Sequence, residues 1–252
     1  MIFIIRLAGH RGYREKELEN TKAAFLKAIE ENLNYIEFDI RKSMDNIPII
    51  FHDETFNRII KNVKEKIENL NLNQIKSFKY EDGQEILTLD ELFSLTNGRV
   101  NYILDLRDSG IEHEIVKLIR KYKLERHIIV QSRLKKSIKK LYKIAPDLEY
   151  ALYLGYMGKP NKLSNFFRIN KLLALIFYYA RIKRYPVKYL SSDGKYLYYE
   201  IISLVQKKGI KVILGAIKLE NYIKCLKKWK VDIITTNNAE NTKKLLKEYN
   251  II

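Results

Sequence analysis

The stretch NYIEFDIRKSMDNIPIIFHD, residues 34–53, alternates apolar and polar side chains and then closes a second apolar run on a histidine. A period of two is the mark of a β-strand, because successive side chains leave a pleated backbone on opposite faces. It sends Glu37 and Asp39 to one side of the same strand. Two like charges facing one way beside a core repel and desolvate each other unless a cation lies between them. Oxygen donors without thiols point to a hard divalent ion, Mg²⁺ or Ca²⁺, with Mn²⁺ an admissible third.

Outward from this segment, short β-branched runs alternate with longer segments of helical period, the pattern of repeated βα units around a parallel sheet. Candidate strands are Ile2 to Ala8, Asn34 to Ile40, Ile47 to His52, Val100 to Leu106, His127 to Ser132, Leu148 to Leu154, Pro186 to Ser191, Ile210 to Ala216 and Val231 to Thr236. Helical pattern covers Glu19 to Asn32, Glu112 to Tyr122, Leu134 to Ile144, Lys195 to Lys208, Leu219 to Trp229 and Ala239 to Tyr249. The expectation is an α/β fold, a TIM-type (β/α)8 barrel in a single domain over residues 1–252. Nine strand candidates exceed eight by one, and Pro186 to Ser191 is the weakest. Residues 57–85 are polar and lack strand pattern, which suits an excursion over the barrel mouth, and Gly155 to Asn165 reads as a second insertion.

Composition narrows the class. The chain has 252 residues, 46% of them hydrophobic, enough for a real core. One cysteine, Cys225, excludes an internal disulfide and fits a reducing compartment. Met1 to Ala8 is too short for an export signal, and Leu172 to Ala180 is about half of the ~20 residues a membrane span needs. A cytoplasmic location is therefore expected. The net charge of +17 comes from lysines spread through nearly every helix, not gathered in one arm. That distribution argues against a specific nucleic-acid function and leaves open a general attraction to anionic substrates or membrane surfaces. Nothing in the sequence fixes the oligomeric state.

Active sites of such barrels lie at the carboxyl ends of the strands, so polar residues there carry weight. His10 and Arg11 follow the first strand, with Gly12 to let the backbone turn. His52 ends the third candidate strand, and Asp53 is placed to orient an imidazole. Asp105 and Arg107 repeat the same-face spacing, adding a carboxylate and a guanidinium able to grip phosphate bidentately. Singly, each has a structural reading: a turn histidine, a salt-bridged edge strand, a self-paired surface motif. Together, at four successive strand ends, they describe metal-assisted cleavage of a phosphodiester. His113 and His127 fit no such pattern and read as structural.

The run AGHRGYREKELENTKAAFLKAIEENLNYIEFDIRKSMDNIPIIFHDETFNRI, Ala8 to Ile59, resembles the glycerophosphodiester phosphodiesterase family in its HRG, ENT, E-x-D, HDE and Arg58. TLDELFSL from Thr88 and VDIITTN near the carboxyl end are similar to later family segments. The resemblance implies that His10 and His52 are the acid/base pair, that Arg11 binds phosphate and that Glu37 and Asp39 hold one divalent cation. The family's Glu-x-Lys strand end is matched by Asp105 and Arg107, which implies Asp105 as third metal ligand and Arg107 on a phosphate group. The implied activity is cleavage of a small glycerophosphodiester to an alcohol and glycerol phosphate. The family's Ser-Phe reads Ser132-Arg133, its Trp-Thr-x-Asn is absent near Ile213 to Ile217, and its final Thr-Asp is Thr236-Asn237. These departures direct attention to a related diesterase for another lipid headgroup or a surface-polymer polyol phosphate. A catalytically idle, anion-binding barrel is the remaining alternative.

Overall fold

The computed structural model describes residues 5–61, 63–153, 185–192, 199–215 and 219–252. Gly155 to Asn165, Leu172 to Ala180 and the ends of several expected elements lie outside the described residues. Eight parallel strands close a barrel: β1 (Arg6–His10), β2 (Tyr35–Lys42), β4 (Asn101–Leu106), β5 (Ile128–Ser132), β6 (Glu149–Tyr153), β7 (Tyr189–Ser192), β8 (Lys211–Leu214) and β9 (Ile233–Thr236). The β1–β2 pairing completes the ring, with His10 beside Glu37. Helices α1 (Lys22–Glu30), α2 (Leu72–Ser77), α3 (Leu89–Thr96), α4 (Glu112–Lys121), α5 (Lys135–Ile144), α6 (Tyr199–Gln206), α7 (Ile223–Trp229) and α8 (Ala239–Glu248) accompany them.

The surplus strand is β3 (Pro48–Ile50), and not the Pro186 to Ser191 segment, which contributes barrel strand β7. β3 pairs antiparallel with β2, Lys42 opposite Pro48. Residues 43–47 form a hairpin, whereas a parallel return needs a dozen or more residues. Asn46 takes φ 60° there, and Ser43 Oγ donates to Asp45 Oδ1 at 2.6 Å. The chain after β3 builds a small core of its own around Phe51, Phe56, Ile67, Ile75 and Ile86. Its segment 66–72 returns to the hairpin, where the Leu72 amide donates to Asp45 Oδ2 at 3.1 Å and the Met44 amide to the Leu70 carbonyl at 2.8 Å.

Alternation along the strands sorts the barrel into layers. Ala8, Tyr35, Ile103, Ile129, Ala151, Tyr189, Ile213 and Ile233, one from each barrel strand, fill the interior with a dry layer. Two residues further toward the carboxyl ends, the inward positions are His10, Glu37, Asp105, Gln131, Tyr153, Ser191, Gly215 and Thr235, which line a cavity. The intervening residues face outward: Phe38 of β2 meets Phe25 of α1 and Phe93 of α3 edge to face, with ring centroids 6.2 and 6.5 Å away. Such pairs add about 1 kcal/mol each beyond burial. Thr21 caps α1 on the Ala24 amide and Thr88 forms a capping box with Glu91 at the start of α3, so both helices begin at defined residues. Among the described residues no helix is long and apolar enough to cross a membrane.

One buried ion pair fastens neighbouring helices. Glu112, at the start of α4 and 2% exposed, accepts from Ser137 Oγ at 2.7 Å and from Lys140 Nζ at 2.9 Å, both on α5. Burial alone would raise its pKa, but the Lys140 and Ser137 bonds outweigh it and hold the carboxyl below its usual value. A lowered folded pKa gives stability that is present above the unfolded value and lost as pH falls through the folded one. Glu112→Gln should therefore cost about 2 kcal/mol at pH 7, and the gap to the parent should narrow as pH falls below about 4. Urea denaturation of both proteins across pH 3–7 measures this.

Candidate active site

The loop after β1 is shaped by its backbone. Arg11 and Gly12 both take left-handed φ angles, 58° and 82°. A Cβ on Gly12 would stand 2.7 Å from the Ala24 backbone, so no other residue fits. The turn aims the Arg11 amide at Glu37 Oε2 (3.0 Å) and the Gly12 amide at the Glu37 carbonyl (3.2 Å). β1 and β2 are thereby locked at their carboxyl ends.

Three of the expected residues, Glu37, Asp39 and Asp105, are all buried and offer carboxylate oxygens within 4.8 Å of one another. Two oxygens on one ion at 2.0–2.6 Å are at most about 5 Å apart, so the set fits a hard divalent cation. One Asp105 oxygen, Oδ1, is buried without a hydrogen-bond partner. Such an orphan acceptor is what a ligand atom looks like before its ion. Asp39 is the most enclosed of the three. Arg107 reaches its Oδ1 through Nε (2.9 Å) and Nη2 (2.6 Å), Arg11 Nε lies 3.2 Å from its Oδ2, and Asn20 donates to Oδ2 at 3.1 Å.

The electrostatics divide accordingly. Burial raises Asp39's pKa in isolation, yet the Arg107 and Arg11 guanidiniums overcome it and hold the carboxyl far below the usual range. Glu37 is pushed well above its usual value by burial and by the Asp39 and Asp105 charges. Asp105 is raised by burial and by Asp39, although Arg107 Nη2 stands 2.9 Å from its Oδ2. Only one of three clustered carboxylates is comfortably ionised by the protein's own cations. An additional positive charge is what the other two lack.

The two histidines stand at the edge of this cluster and line the same cavity, of about 180 Å³. His10 Nδ1 is 2.6 Å from Asn237 Oδ1, and its Nε2 is 3.9 Å from Glu37 Oε2. Burial, then the neighbouring Arg11 charge, lowers its pKa to about 4, so the ring is neutral near pH 7. His52 Nδ1 is 2.5 Å from Asp53 Oδ1, and burial lowers its pKa as well. Donation from each Nδ1 to its side-chain oxygen leaves each Nε2 as the acceptor. Arg41 fixes the His52 carbonyl with two bonds, from Nε at 3.0 Å and Nη2 at 2.8 Å.

Several contributors are invisible to strand-end reasoning. Glu19, 6% exposed, accepts from Arg11 Nη1 at 2.7 Å and Arg58 Nη2 at 2.5 Å, while Arg58 Nε bonds Asp53. A continuous chain of charges thus runs from His52 through Asp53, Arg58, Glu19 and Arg11 to Asp39. Glu19 and Asn20 were expected inside the first helix; they precede its Thr21 cap, and Asn20 takes φ 58°. The ENT triplet was the available signal, a polar triplet that spends its first two residues on the site and its third on the cap. Asn237 reaches His10, and Gln131 at the end of β5 and Arg133 just after it complete the cavity wall. His113 is exposed, and His127 Nδ1 pairs with Asn101 Oδ1 at 3.1 Å, away from the cavity.

Gly12→Ala tests the loop. Left-handed φ costs an L residue about 1–2 kcal/mol, and the overlap with Ala24 adds to it, so thermal unfolding should fall by several degrees. An unchanged melting temperature would contradict the close approach.

The profile described as Glycerophosphoryl diester phosphodiesterase family matches residues 10–241. A glycerophosphodiester phosphodiesterase of Caldanaerobacter subterraneus subsp. tengcongensis is 31% identical over 157 residues, which are 57% of this chain and 64% of that protein. The match thus spans just under two thirds of that relative's length. Among solved structures, a glycerophosphodiester phosphodiesterase described as putative, from Galdieria sulphuraria, superposes with TM-score 0.78 at 24% identity over 99% of both chains. An Oleispira antarctica phosphodiesterase in complex with the product sn-glycerol-3-phosphate gives 0.78 at 18% identity, over 97% of this chain and 98% of that one. At these identities the superpositions speak for the barrel, and the profile match over nearly the whole chain decides the relationship: the chain belongs to the glycerophosphoryl diester phosphodiesterase family.

Proposed function

We propose that this chain is a divalent-cation-dependent phosphoric diester hydrolase that cleaves a glycerophosphodiester to an alcohol and glycerol phosphate. The observation that carries the reading is the meeting, in one cavity, of three carboxylates within 4.8 Å, two imidazoles and the guanidiniums of Arg11 and Arg107. The family match and the product complex of the Oleispira antarctica relative support the same chemistry.

Glu37, Asp39 and Asp105 would hold Mg²⁺, Ca²⁺ or Mn²⁺, which would supply Lewis-acid polarisation of a phosphoryl oxygen. The rest follows from the chain's own side chains. Arg11, braced by Glu19 and Asp39, presents a guanidinium whose position is fixed before substrate arrives, so it stabilises charge growing on phosphorus without reorganisation. Arg107 serves the same charge from the β4 side. One imidazole Nε2 takes the proton of the attacking hydroxyl; the other ring acts as the acid only in its imidazolium form, with a second proton on Nε2 that it gives to the leaving oxygen. Asn237 and Asp53 hold the two rings by Nδ1, which keeps Nε2 toward the cavity throughout.

With glycerophosphoglycerol as substrate, EDTA should abolish alcohol release and added Mg²⁺, Ca²⁺ or Mn²⁺ should restore it. His10→Ala and His52→Ala should each lower kcat by about 10²–10⁴-fold while the fold, read by circular dichroism, stays intact. Undiminished hydrolysis by a Glu37→Ala, Asp39→Ala double variant would remove the cation from the proposal. Anion binding without turnover of any diester would favour the idle-barrel alternative.

A further inference from the structure

Three guanidiniums line the cavity, and they are not alike. Arg11 and Arg107 are each matched by carboxylates, as described above. Arg133 is exposed and, among the described residues, forms no ion pair; its guanidinium carbon lies 4.3 Å from the centroid of the Tyr153 ring. Leu106 and Ser132 are register partners, so Arg133, the residue after β5, follows on beside Arg107, the residue after β4, one strand further round the barrel. That step is about 4.8 Å. A guanidinium held over an aromatic ring keeps N–H groups free for an oxyanion.

Two further observations point the same way. Gln131 Oε1, buried one step below Arg133 and on the cavity wall, has no hydrogen-bond partner. A substrate hydroxyl is the donor it lacks. The sequence that follows Tyr153, residues 154–184, holds seven Lys or Arg and no Asp or Glu, so it offers no carboxylate to neutralise Arg133.

We propose that Arg133, with Tyr153 behind it and Gln131 beneath it, selects diesters whose alcohol is a polyol bearing a second phosphate. The scissile phosphate would lie between Arg11 and Arg107, the second one against Arg133, and a polyol hydroxyl on Gln131. A quaternary or primary ammonium headgroup would meet a positive charge there that no ion pair among the described residues holds. The inference rests on the diesterase reading, and it adds the substrate class.

Purified protein with Mg²⁺ is assayed on four diesters: a glycerol phosphate dimer with a terminal phosphate, glycerophosphoinositol phosphate, glycerophosphoglycerol and glycerophosphocholine. At least one of the two phosphorylated substrates should exceed glycerophosphoglycerol in kcat/KM by about tenfold or more, the size of one charge-assisted contact. Which of them does so separates a polyol-phosphate chain from a phosphorylated lipid headgroup. Arg133→Met should erase that preference mainly through KM, because the contact is remote from the reacting phosphorus, with a loss about tenfold larger on the preferred phosphorylated substrate than on glycerophosphoglycerol. Arg133→Lys should keep part of it. Equal rates for phosphorylated and neutral substrates in the parent, or an equal loss on all four in Arg133→Met, would overturn the inference and leave the diesterase reading standing. Failure to cleave any of the four would sink both.

Discussion

A carboxylate that no water reaches organises this barrel. Asp39 is fully buried and ionised, a state that costs several kcal/mol unless opposite charge and hydrogen bonds surround it. Arg11 comes to it from the β1 loop, Arg107 from the end of β4 and Asn20 from the residue before the α1 cap. Its backbone carbonyl also accepts from the Phe51 amide, which draws the hairpin strand's end to the same point. Four separate segments therefore converge on one residue. Loss of any one of the three partners, the Arg11 charge or the Arg107 and Asn20 hydrogen bonds, would leave part of a buried charge uncompensated.

The same convergence explains the unequal behaviour of the cluster. The protein spends its nearest cations on Asp39, so Glu37 and Asp105 face one another with too little positive charge. Arg107 touches both Asp39 and Asp105, but a guanidinium is planar and directional, and it leaves Asp105 Oδ1 without a bond. A compact ion can satisfy oxygens from three directions, which a planar fork cannot. The Asp-x-Arg spacing at the end of β4 belongs to this balance: the carboxylate is short, and the guanidinium has the reach to bridge two carboxylates.

How far this was legible in the sequence depends on whether the signal was local. Alternation over Tyr35 to Ile40 is local, and it placed Glu37 and Asp39 inward because strand geometry leaves no other choice. The same rule put Asp105 and Arg107 on one face. Strand pairing is not local: the apolar run ending at His52 looks like a barrel strand, and only the short connection to β2 shows that it must run antiparallel. The weak Pro186 to Ser191 segment became β7 because neighbours on both sides complete it. Glu19 and Asn20 continue a helical pattern in sequence, yet Thr21 caps the helix and frees both for the site. Arg58 lies in a loop with no periodicity at all, and its role appears only through Glu19 and Asp53.

The far wall obeys the same layer rule as the catalytic one. On each barrel strand the residue two beyond the dry layer lines the cavity, and just past the ends of β4 and β5 the residues four beyond it, Arg107 and Arg133, line it as well. In β2 and β4 these positions carry three carboxylates, and Arg107 past the end of β4 offsets only part of their charge. The neighbouring arc carries Gln131, Arg133 and Tyr153, with no carboxylate among them. The barrel's repeat supplies equivalent places, and the sequence fills one arc with the clustered carboxylates and histidines and the next with Gln131, Arg133 and Tyr153, so a substitution just past β5 alters the far wall without replacing any residue of the carboxylate and histidine arc.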